Sequence, residues 1–172
     1  MGQERKSRHI LVLGLGNALM QDEGLGVHAL RRLLSSYCFP EYVELLDGGT
    51  MGLALLPYVA ETTDLLILDC VHAAHAPGTL VRLEGPDIHK ALSLKMSIHQ
   101  VGLQDLLTAN SLAGTSPENI VVWGIQPGSV DWGVELTPVV EGSVDRLLQA
   151  VVQELRAWGV CVEPSERSTA CG

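Results

Sequence analysis

The stretch HILVLGLGNALMQDEGLGVHAL, residues 9–30, joins an apolar run to a glycine-rich turn and then to a segment whose apolar residues have helical spacing. A short apolar run that ends in glycines is typical of a strand buried on both faces of a sheet. Residues 9–16 are therefore predicted to form the first strand, and residues 25–34 the first helix. The run follows a charged segment, as in a signal peptide, but Gly14 and Gly16 interrupt it and it lacks a small-residue cleavage site.

The alternation of strand and helix continues along the rest of the chain. Further strand-like runs are found at residues 42–49, 64–71, 79–85 and 119–125, and further helical patterns at residues 53–60, 99–112 and 139–158. This order predicts an α/β fold, a three-layer, open, twisted and mostly parallel sheet with helices on both faces. Because only a Pro-Gly turn precedes the run at 79–85, that strand is expected to run antiparallel, at an edge of the sheet. Pro138, after the candidate N-cap Thr137, opens the last helix.

Length and composition indicate a single domain. A chain of 172 residues has the size of one ordinary domain, and no linker or internal repeat divides it. Aromatic residues make up only 4% of the chain, so Leu, Val, Ile and Ala must fill the interior. We assign residues 1–172 to one domain with its core at about 9–160, and we expect the tail at 163–172, rich in Ser, Thr and charge, to be frayed.

Charge and cysteine content exclude several classes of function. A formal charge of −9 argues against a nucleic-acid partner, because binding to phosphates needs a basic face. No segment reaches the roughly 18 uninterrupted apolar residues of a membrane span. The cysteines have no CxxC spacing, which favours free thiols in a reducing compartment, and we expect a cytoplasmic protein. They are Cys38, Cys70, Cys161 and Cys171.

Acidic residues gather where the predicted parallel strands end. Asp22 and Glu23 follow the first strand. Asp47 ends the second strand, and Asp69 ends the third. In an open parallel sheet, binding sites form outside the carboxyl ends of the strands, so these acids are candidates for function.

Glu23, Asp69 and His99 form a candidate metal site. Residues 97–100, SIHQ, have the S-x-x-Q form of a capping box, which places His99 in the first turn of a helix. Two carboxylates and one imidazole suit a divalent ion such as nickel, zinc or iron. Each residue also has a structural interpretation: Glu23 as a favourable charge at a helix N-terminus, Asp69 as a loop cap, and His99 as a structural histidine. The spacing alone leaves both interpretations open.

The first turn also has part of a dinucleotide-binding fingerprint. Gly14 and Gly16 occupy the first two positions of G-x-G-x-x-G, whereas the third position is Leu19. In such a site Asp47 could hold a ribose hydroxyl. The same glycines are equally well explained by a tight turn that needs positive φ.

Cys70, His72 and His75 suggest a thiol nucleophile or a small metal cluster. Neither hypothesis is specific, because a cysteine among apolar strand residues is usually a buried hydrophobe and histidines are common in exposed connections. The chain also lacks a G-x-S-x-G nucleophile elbow and an H-E-x-x-H zinc motif. The commonest signatures of serine and zinc hydrolases are therefore missing.

Five sequence blocks in a fixed order resemble the nickel-iron hydrogenase maturation endopeptidases. The blocks are ILVLGLGNALMQDEGLGVHAL, ELLDGGTMGLALLPYV, LLILDCV with the following APGTL, KMSIHQVGLQDLL and VVWGIQP. The resemblance extends over about residues 10–158, and several separate blocks are more specific than any single motif. It implies the same α/β fold and a hydrolase that acts as an endopeptidase.

The resemblance implies a metal-binding role for Glu23, Asp69 and His99, the same three residues that their positions suggest. The implied reaction removes the C-terminal extension of a hydrogenase large-subunit precursor after nickel insertion. Nickel then arrives with the substrate and serves as the recognition handle, although other divalent ions can occupy the site in the isolated protein. The implied partner is that precursor, and a monomer is expected.

The resemblance also associates the DGGT segment, Asp47, Gly48, Gly49 and Thr50, with substrate recognition or cleavage. Nickel could polarise the peptide carbonyl or activate a water, or a carboxylate such as Asp47 could act as the catalytic base, and the sequence leaves these routes open. Two other classes of function remain open: a nucleotide-binding oxidoreductase built on the glycine-rich turn, and a noncatalytic nickel chaperone. NAD or NADP would stabilise the oxidoreductase against unfolding. The chaperone would bind the precursor without changing its mass.

Overall fold

All five predicted strands form, and they make one sheet. The computed structural model describes residues 7–93 and 98–165, without the side chains of residues 93 and 98–101. The strands in chain order are β1 (Ile10–Leu15), the short β2 (Tyr37–Cys38), β3 (Val43–Gly49), β4 (Asp64–Cys70), β5 (Leu80–Glu84), β6 (Asn119–Ile125) and the short β7 (Glu163–Pro164).

Helices connect the strands, and one of them was not predicted. The short helix α3 lies between the predicted strand at 79–85 and the predicted helix at 99–112, where no element was predicted, and the predicted helix at 53–60 divides into a 3-10 turn followed by α2. A second 3-10 turn precedes α1. The helices are α1 (Leu25–Ser36), α2 (Leu56–Ala60), α3 (Pro86–Ser93), α4 (Ile98–Leu112) and α5 (Pro138–Ala157), and the 3-10 turns are Gln21–Gly24 and Gly52–Leu55.

The large sheet has the strand order β3-β1-β4-β6-β5. The pairs β1–β3, β1–β4 and β4–β6 are parallel, so β1, β3, β4 and β6 all run in the same direction. Strand β5 lies at the edge and pairs with β6 in the antiparallel direction. The predicted mostly parallel sheet and its antiparallel edge strand are both confirmed.

Two apolar cores lie on opposite faces of the sheet, as the three-layer prediction requires. Alternate residues of β1 point to different cores: Ile10 packs in the core built with α1 and α5, and Leu11 in the core built with α2, α3 and α4. Both side chains are fully buried, and so are their counterparts along β4. Strands buried on both faces have continuous apolar sequences, which is why their positions could be predicted.

Gly14 and Gly26 let α1 lie directly against the sheet. A Cβ atom built on Gly26 would be 2.1 Å from the carbonyl oxygen of Leu68, and one on Gly14 would be 2.6 Å from the carbonyl oxygen of Gly26. No side chain fits at these distances. The start of α1 is therefore fixed over β1 and β4, and so is the 3-10 turn that precedes it.

An ion pair joins the edge strand β5 to α5. Arg82 donates from Nε to Glu154 Oε2 at 2.7 Å and from Nη2 to Oε1 at 2.9 Å. The indole Nε1 of Trp123 also donates to Glu154 Oε2, at 2.9 Å. These bonds hold the pKa of the Glu154 carboxyl below its ordinary value, the hydrogen bonds from Arg82 being the largest cause.

The last described residues, 163–165, contradict one prediction. A frayed tail was expected from residue 163 onward, but Glu163 and Pro164 pair with Cys38 and Tyr37, and Ser165 donates its backbone N–H to the Ser36 carbonyl at 2.8 Å. The prediction is therefore wrong for residues 163–165.

Two further observations concern membranes and cysteines. Within residues 7–93 and 98–165, no helix is both long and apolar enough to cross a bilayer. In the same described ranges, Cys38, Cys70 and Cys161 form no disulfide. Cys171 lies outside the described residues.

Candidate functional site

The carboxyl edge of the sheet gathers the ends of β1, β3 and β4 and the start of α4. The end of α4 lies near the amino edge, because Ser111 and Leu112 border the same cavity as Asn119, the first residue of β6. A helix that leads into a parallel strand runs back across the sheet. The first turn of α4 therefore lies at the carboxyl edge.

Gly16 brings Glu23 next to Asp69. Gly16 has φ of 118°, and a Cβ built on it would be 1.7 Å from the carbonyl oxygen of Glu23 and 3.6 Å from Asp69 Oδ1. The 3-10 turn thus folds back over the end of β1, which only a glycine allows. The backbone of Glu23 and the side chain of Asp69, two of the predicted metal-binding acids, consequently lie on either side of Gly16.

Asp69 occupies the end of β4 as predicted, and its side chain is only 3% exposed. Its Oδ1 accepts the backbone N–H of Cys70 at 2.8 Å, which fixes the carboxylate beside the strand. Glu23 is partly buried in the turn Gln21–Gly24. Both acids therefore sit at a partly water-excluded edge of the sheet.

His99 lies in the first turn of α4, as the sequence predicted, and its imidazole is outside the described side chains. Ser97, the first residue of the predicted capping box, also lies outside the described residues. One turn further along the helix, Leu103 borders a small cavity next to Asp69 and a second one next to Gly49 and Thr50. The helix start thus belongs to the same edge as the two acids.

A close glycine contact sets the position of α4. A Cβ built on Gly102 would be 3.1 Å from the Cα of Gly52, the first residue of the 3-10 turn after β3. The helix can therefore approach the turn that follows the DGGT segment at backbone distance. Among the side chains that the structure describes, no three His, Cys, Asp or Glu residues cluster as metal ligands, and the predicted set of three includes the undescribed imidazole of His99.

The DGGT segment forms a bulge at the end of β3. The pairing of β1 with β3 shifts from Gly14–Asp47 to Leu15–Gly49, which leaves Gly48 unpaired. A Cβ on Gly48 would be 2.7 Å from Leu13 Cδ1, so a side chain there would enter the core. Such bulges redirect the following residues and are frequent beside functional sites.

Asp47 and Asp69 are separated by one strand. Both lie at the carboxyl edge, but β1 intervenes, which puts their backbones about 10 Å apart at the usual strand spacing. Asp47 is exposed and its Oδ2 lies 3.6 Å from Arg31 Nη2, with side chains 47% and 64% exposed. A pair this open and this long contributes little stability, so Asp47 is accessible to a substrate.

Asp22 lies at this edge, as the sequence predicted, but no role was assigned to it. Its side chain joins the turn after β1 to the connection between β6 and α5. Its fully buried carboxylate accepts the backbone N–H groups of Gly128, Ser129 and Thr137 at 2.8, 3.0 and 2.7 Å. It also accepts the hydroxyl of Thr137 at 2.7 Å. Thr137 is the N-cap residue of α5, as predicted, but its side chain makes no cap bond to that helix, because its hydroxyl donates to Asp22 instead.

The other two site hypotheses find no support in the geometry. The thiol of Cys70 is 1% exposed, and the connection that carries His72 and His75 is held by Gln126, whose Oε1 accepts the backbone N–H groups of Ala73 and His75. In the nucleotide hypothesis, phosphate would lie at a helix N-terminus directly after the glycines. The 3-10 turn Gln21–Gly24 stands between Gly16 and α1 instead.

Known proteins resemble this chain along most of its length. The family model described as hydrogenase maturation protease matches residues 27–154. The hydrogenase expression/formation protein HupD of Rhodobacter capsulatus is 41% identical over 157 residues, which cover 90% of this chain and 75% of that protein. The hydrogenase 2 maturation protease of Escherichia coli K12 is 40% identical over 158 residues, which cover 91% of this chain and 96% of that one.

The fold is also similar to that of a solved structure. The hydrogenase maturating endopeptidase HybD from Escherichia coli superposes with a TM-score of 0.88 at 38% identity, and the match covers 92% of this chain and 99% of that one. The likeness thus extends through both faces of the sheet and is not confined to one motif.

Proposed function

We propose, because this chain belongs to the family of hydrogenase maturation proteases, that it is the endopeptidase which removes the C-terminal extension of a nickel-iron hydrogenase large-subunit precursor. The observation that carries the proposal is the approach of Glu23 and Asp69 across Gly16, at the edge where α4 begins. The substrate is the precursor after its metal centre has been assembled.

Nickel held by the precursor is the recognition element. Glu23, Asp69 and His99 bind the nickel while thiolates of the precursor hold it from the other side. Two carboxylates brought together at a partly buried edge repel each other and lose hydration, and a cation offsets both costs. Binding is therefore favourable only after nickel has been delivered, and the enzyme checks metal loading before it cuts.

Cleavage requires water to attack the peptide carbonyl at the end of the mature subunit. Nickel in the bound precursor can polarise that carbonyl or activate the water. Asp47 acts as the general base on the neighbouring side of the edge, where its exposed carboxylate can accept the proton of the water and pass it to the leaving nitrogen of the extension as the peptide bond breaks. The bulged segment that follows Asp47 recognises the main chain of the extension.

The site has one consequence for the isolated protein. A divalent ion from buffer can occupy it, since the same acids and imidazole bind zinc or iron as well as nickel. The protein acts in the cytoplasm as a monomer that associates with the precursor only for one cleavage.

The proposal is tested by incubating the purified protein with nickel-loaded and with nickel-free precursor and following the mass of the large subunit. We expect the loaded precursor alone to lose the mass of its extension. Equal cleavage of both forms would contradict the proposed recognition of nickel. Binding of the loaded precursor without any change in its mass would identify a chaperone instead.

A further inference from the structure

The connection after β1 and the connection after β6 are joined into one rigid unit at the carboxyl edge. Gln21 donates its backbone N–H to the Gly133 carbonyl at 2.8 Å, and Gly133 donates to the Leu19 carbonyl at 3.0 Å. Met20 and Gly133 form a parallel bridge. The buried Asp22 carboxylate belongs to the first connection and accepts hydrogen bonds from the second, so it also holds the two connections together.

This rigid unit exposes an apolar surface. Leu19 is 55% exposed, Trp132 80% and Val134 62%, and the bridge at Gly133 sets Leu19 alongside the other two. We call these three residues the loop face. Large apolar side chains exposed together are typical of protein interaction sites, and tryptophan is among the residues enriched where such sites bind most strongly.

The loop face is continuous with the proposed site. Met20, which bridges to Gly133, accepts the backbone N–H of Glu23 at 3.1 Å. The loop face therefore borders the turn that carries Glu23, and a lasting partner seated there, other than the substrate, would stand beside the proposed site and hinder the reaction.

The surroundings of the loop face are acidic. Asp131 and Glu135 flank Trp132 and Val134 in the sequence, and both are exposed. An apolar centre with a charged rim is the usual composition of a transient interface. The acidic rim complements a partner surface that carries Lys or Arg.

We propose that the loop face is the docking surface for the folded body of the hydrogenase large-subunit precursor, which presents an apolar patch bordered by basic residues. This inference rests on the proposed function for its partner. It adds a contact with the body of the precursor to the contacts that the nickel and the extension make.

The test measures how strongly the protein binds immobilised, nickel-loaded precursor, and separately how the cleavage rate depends on precursor concentration. We expect Trp132→Ala to weaken binding and to raise the precursor concentration at half-maximal rate by about tenfold or more, as for a central interface residue. Leu112→Ala is the matched control, because Leu112 is 85% exposed at the opposite edge of the sheet. It should change neither quantity.

The charge of the rim is tested with Glu135→Lys. It should weaken binding at low salt, and the difference from the parent protein should shrink as salt screens the charges. Binding that is unchanged or tighter with Glu135→Lys would contradict a basic partner surface.

Failure of this inference differs from failure of the proposed function. If the parent protein cleaves the precursor and Trp132→Ala cleaves it with the same concentration dependence, the docking surface is wrong and the function stands. If the parent protein binds the precursor through Trp132 but never cleaves it, the function is wrong and the docking surface stands. A parent protein that sediments as a dimer, with Trp132→Ala as a monomer, would assign the loop face to a second copy of the chain and overturn the inference.

Discussion

Asp22 and Thr137 lie 115 positions apart in the chain, yet the Asp22 carboxylate accepts both the backbone N–H and the hydroxyl of Thr137 at 2.7 Å each. The same carboxylate accepts two further N–H groups, from Gly128 and Ser129. Because Glu23 follows Asp22 directly, this buried contact fixes the backbone of a proposed nickel-binding residue. It also fixes the connection that carries Trp132.

Replacement of Asp22 by Asn should therefore destabilise the protein. An amide NH2 group in place of a carboxylate oxygen would face N–H donors in a buried site, and we expect the free energy of unfolding to fall by about 3 kcal/mol. Urea unfolding measures this change. Asp131→Asn, an exposed carboxylate in the same connection, is the control and should stay within about 0.5 kcal/mol of the parent. Equal stability of the two variants would contradict the role assigned to Asp22.

Two glycines in helices give a paired test of the close contact between α1 and the sheet. Gly26→Ala should lower the free energy of unfolding by about 2 kcal/mol or more, since its Cβ would lie 2.1 Å from the Leu68 carbonyl oxygen. Gly142→Ala in α5 has no atom within 4 Å of the new Cβ. It should raise stability by about 0.5 to 1 kcal/mol, because alanine favours the helix. Thermal unfolding compares both variants, and a neutral or stabilising Gly26→Ala would refute the contact.

The strands could be predicted from the sequence because each is an apolar run bounded by turn residues, and their direction followed from the helices between them. Helix α3 was missed although Ile88, Ala91 and Leu92 have helical spacing, because its eight residues are fewer than the window over which apolar spacing is usually judged. The pairing of β7 with β2 was missed for a different reason. Two-residue strands have no pattern of their own and form only because distant segments meet.

The Arg82–Glu154 pair should make stability depend on pH in the acidic range. The folded protein holds the pKa of Glu154 below its ordinary value of 4.5, so the stabilisation is complete above that pH and is lost as the pH falls through the folded pKa. We expect Glu154→Gln to lower the free energy of unfolding by about 1 to 2 kcal/mol at neutral pH. The difference from the parent should shrink below about pH 4.5, as the parent loses the same charge.

The control for this pH series is Glu141→Gln, because the Arg32–Glu141 pair has side chains that are 37% and 47% exposed. Glu141→Gln should lower the free energy of unfolding at neutral pH by less than about 1 kcal/mol. Urea unfolding at several pH values measures both variants. If Glu154→Gln lowers the free energy of unfolding by the same amount down to strongly acidic pH, the carboxylate charge is not the cause of the stabilisation.

The positions of the site residues followed from the sequence more readily than their surroundings did. Glu23 and Asp69 were predicted at one edge because parallel strands end together there. The partner of Asp47, Arg31, and the bulge at Gly48 were not predicted, since both depend on how β1 and β3 pair. Asp22 was noticed as an acid, but its burial and its bond to Thr137 depend on a contact across most of the chain.

His99→Ala should abolish processing without unfolding the protein, because a residue in the first turn of a helix seldom supports the core. We expect the rate at which loaded precursor loses its extension to fall by more than about a hundredfold, as for loss of a metal ligand. His75→Ala is the control, since His75 lies exposed in another connection at the same edge. The mass of the large subunit reports the cleavage, and unaltered processing by His99→Ala would exclude its role.

The central claim is that Glu23, Asp69 and His99 meet around one ion. Anomalous diffraction at the nickel absorption edge, from crystals of the protein soaked in nickel, tests it most directly. We predict one strong peak at bonding distance, about 2 Å, from a carboxylate oxygen of each acid and from an imidazole nitrogen of His99. Nickel bound elsewhere, or bound without all three of these side chains, would contradict it.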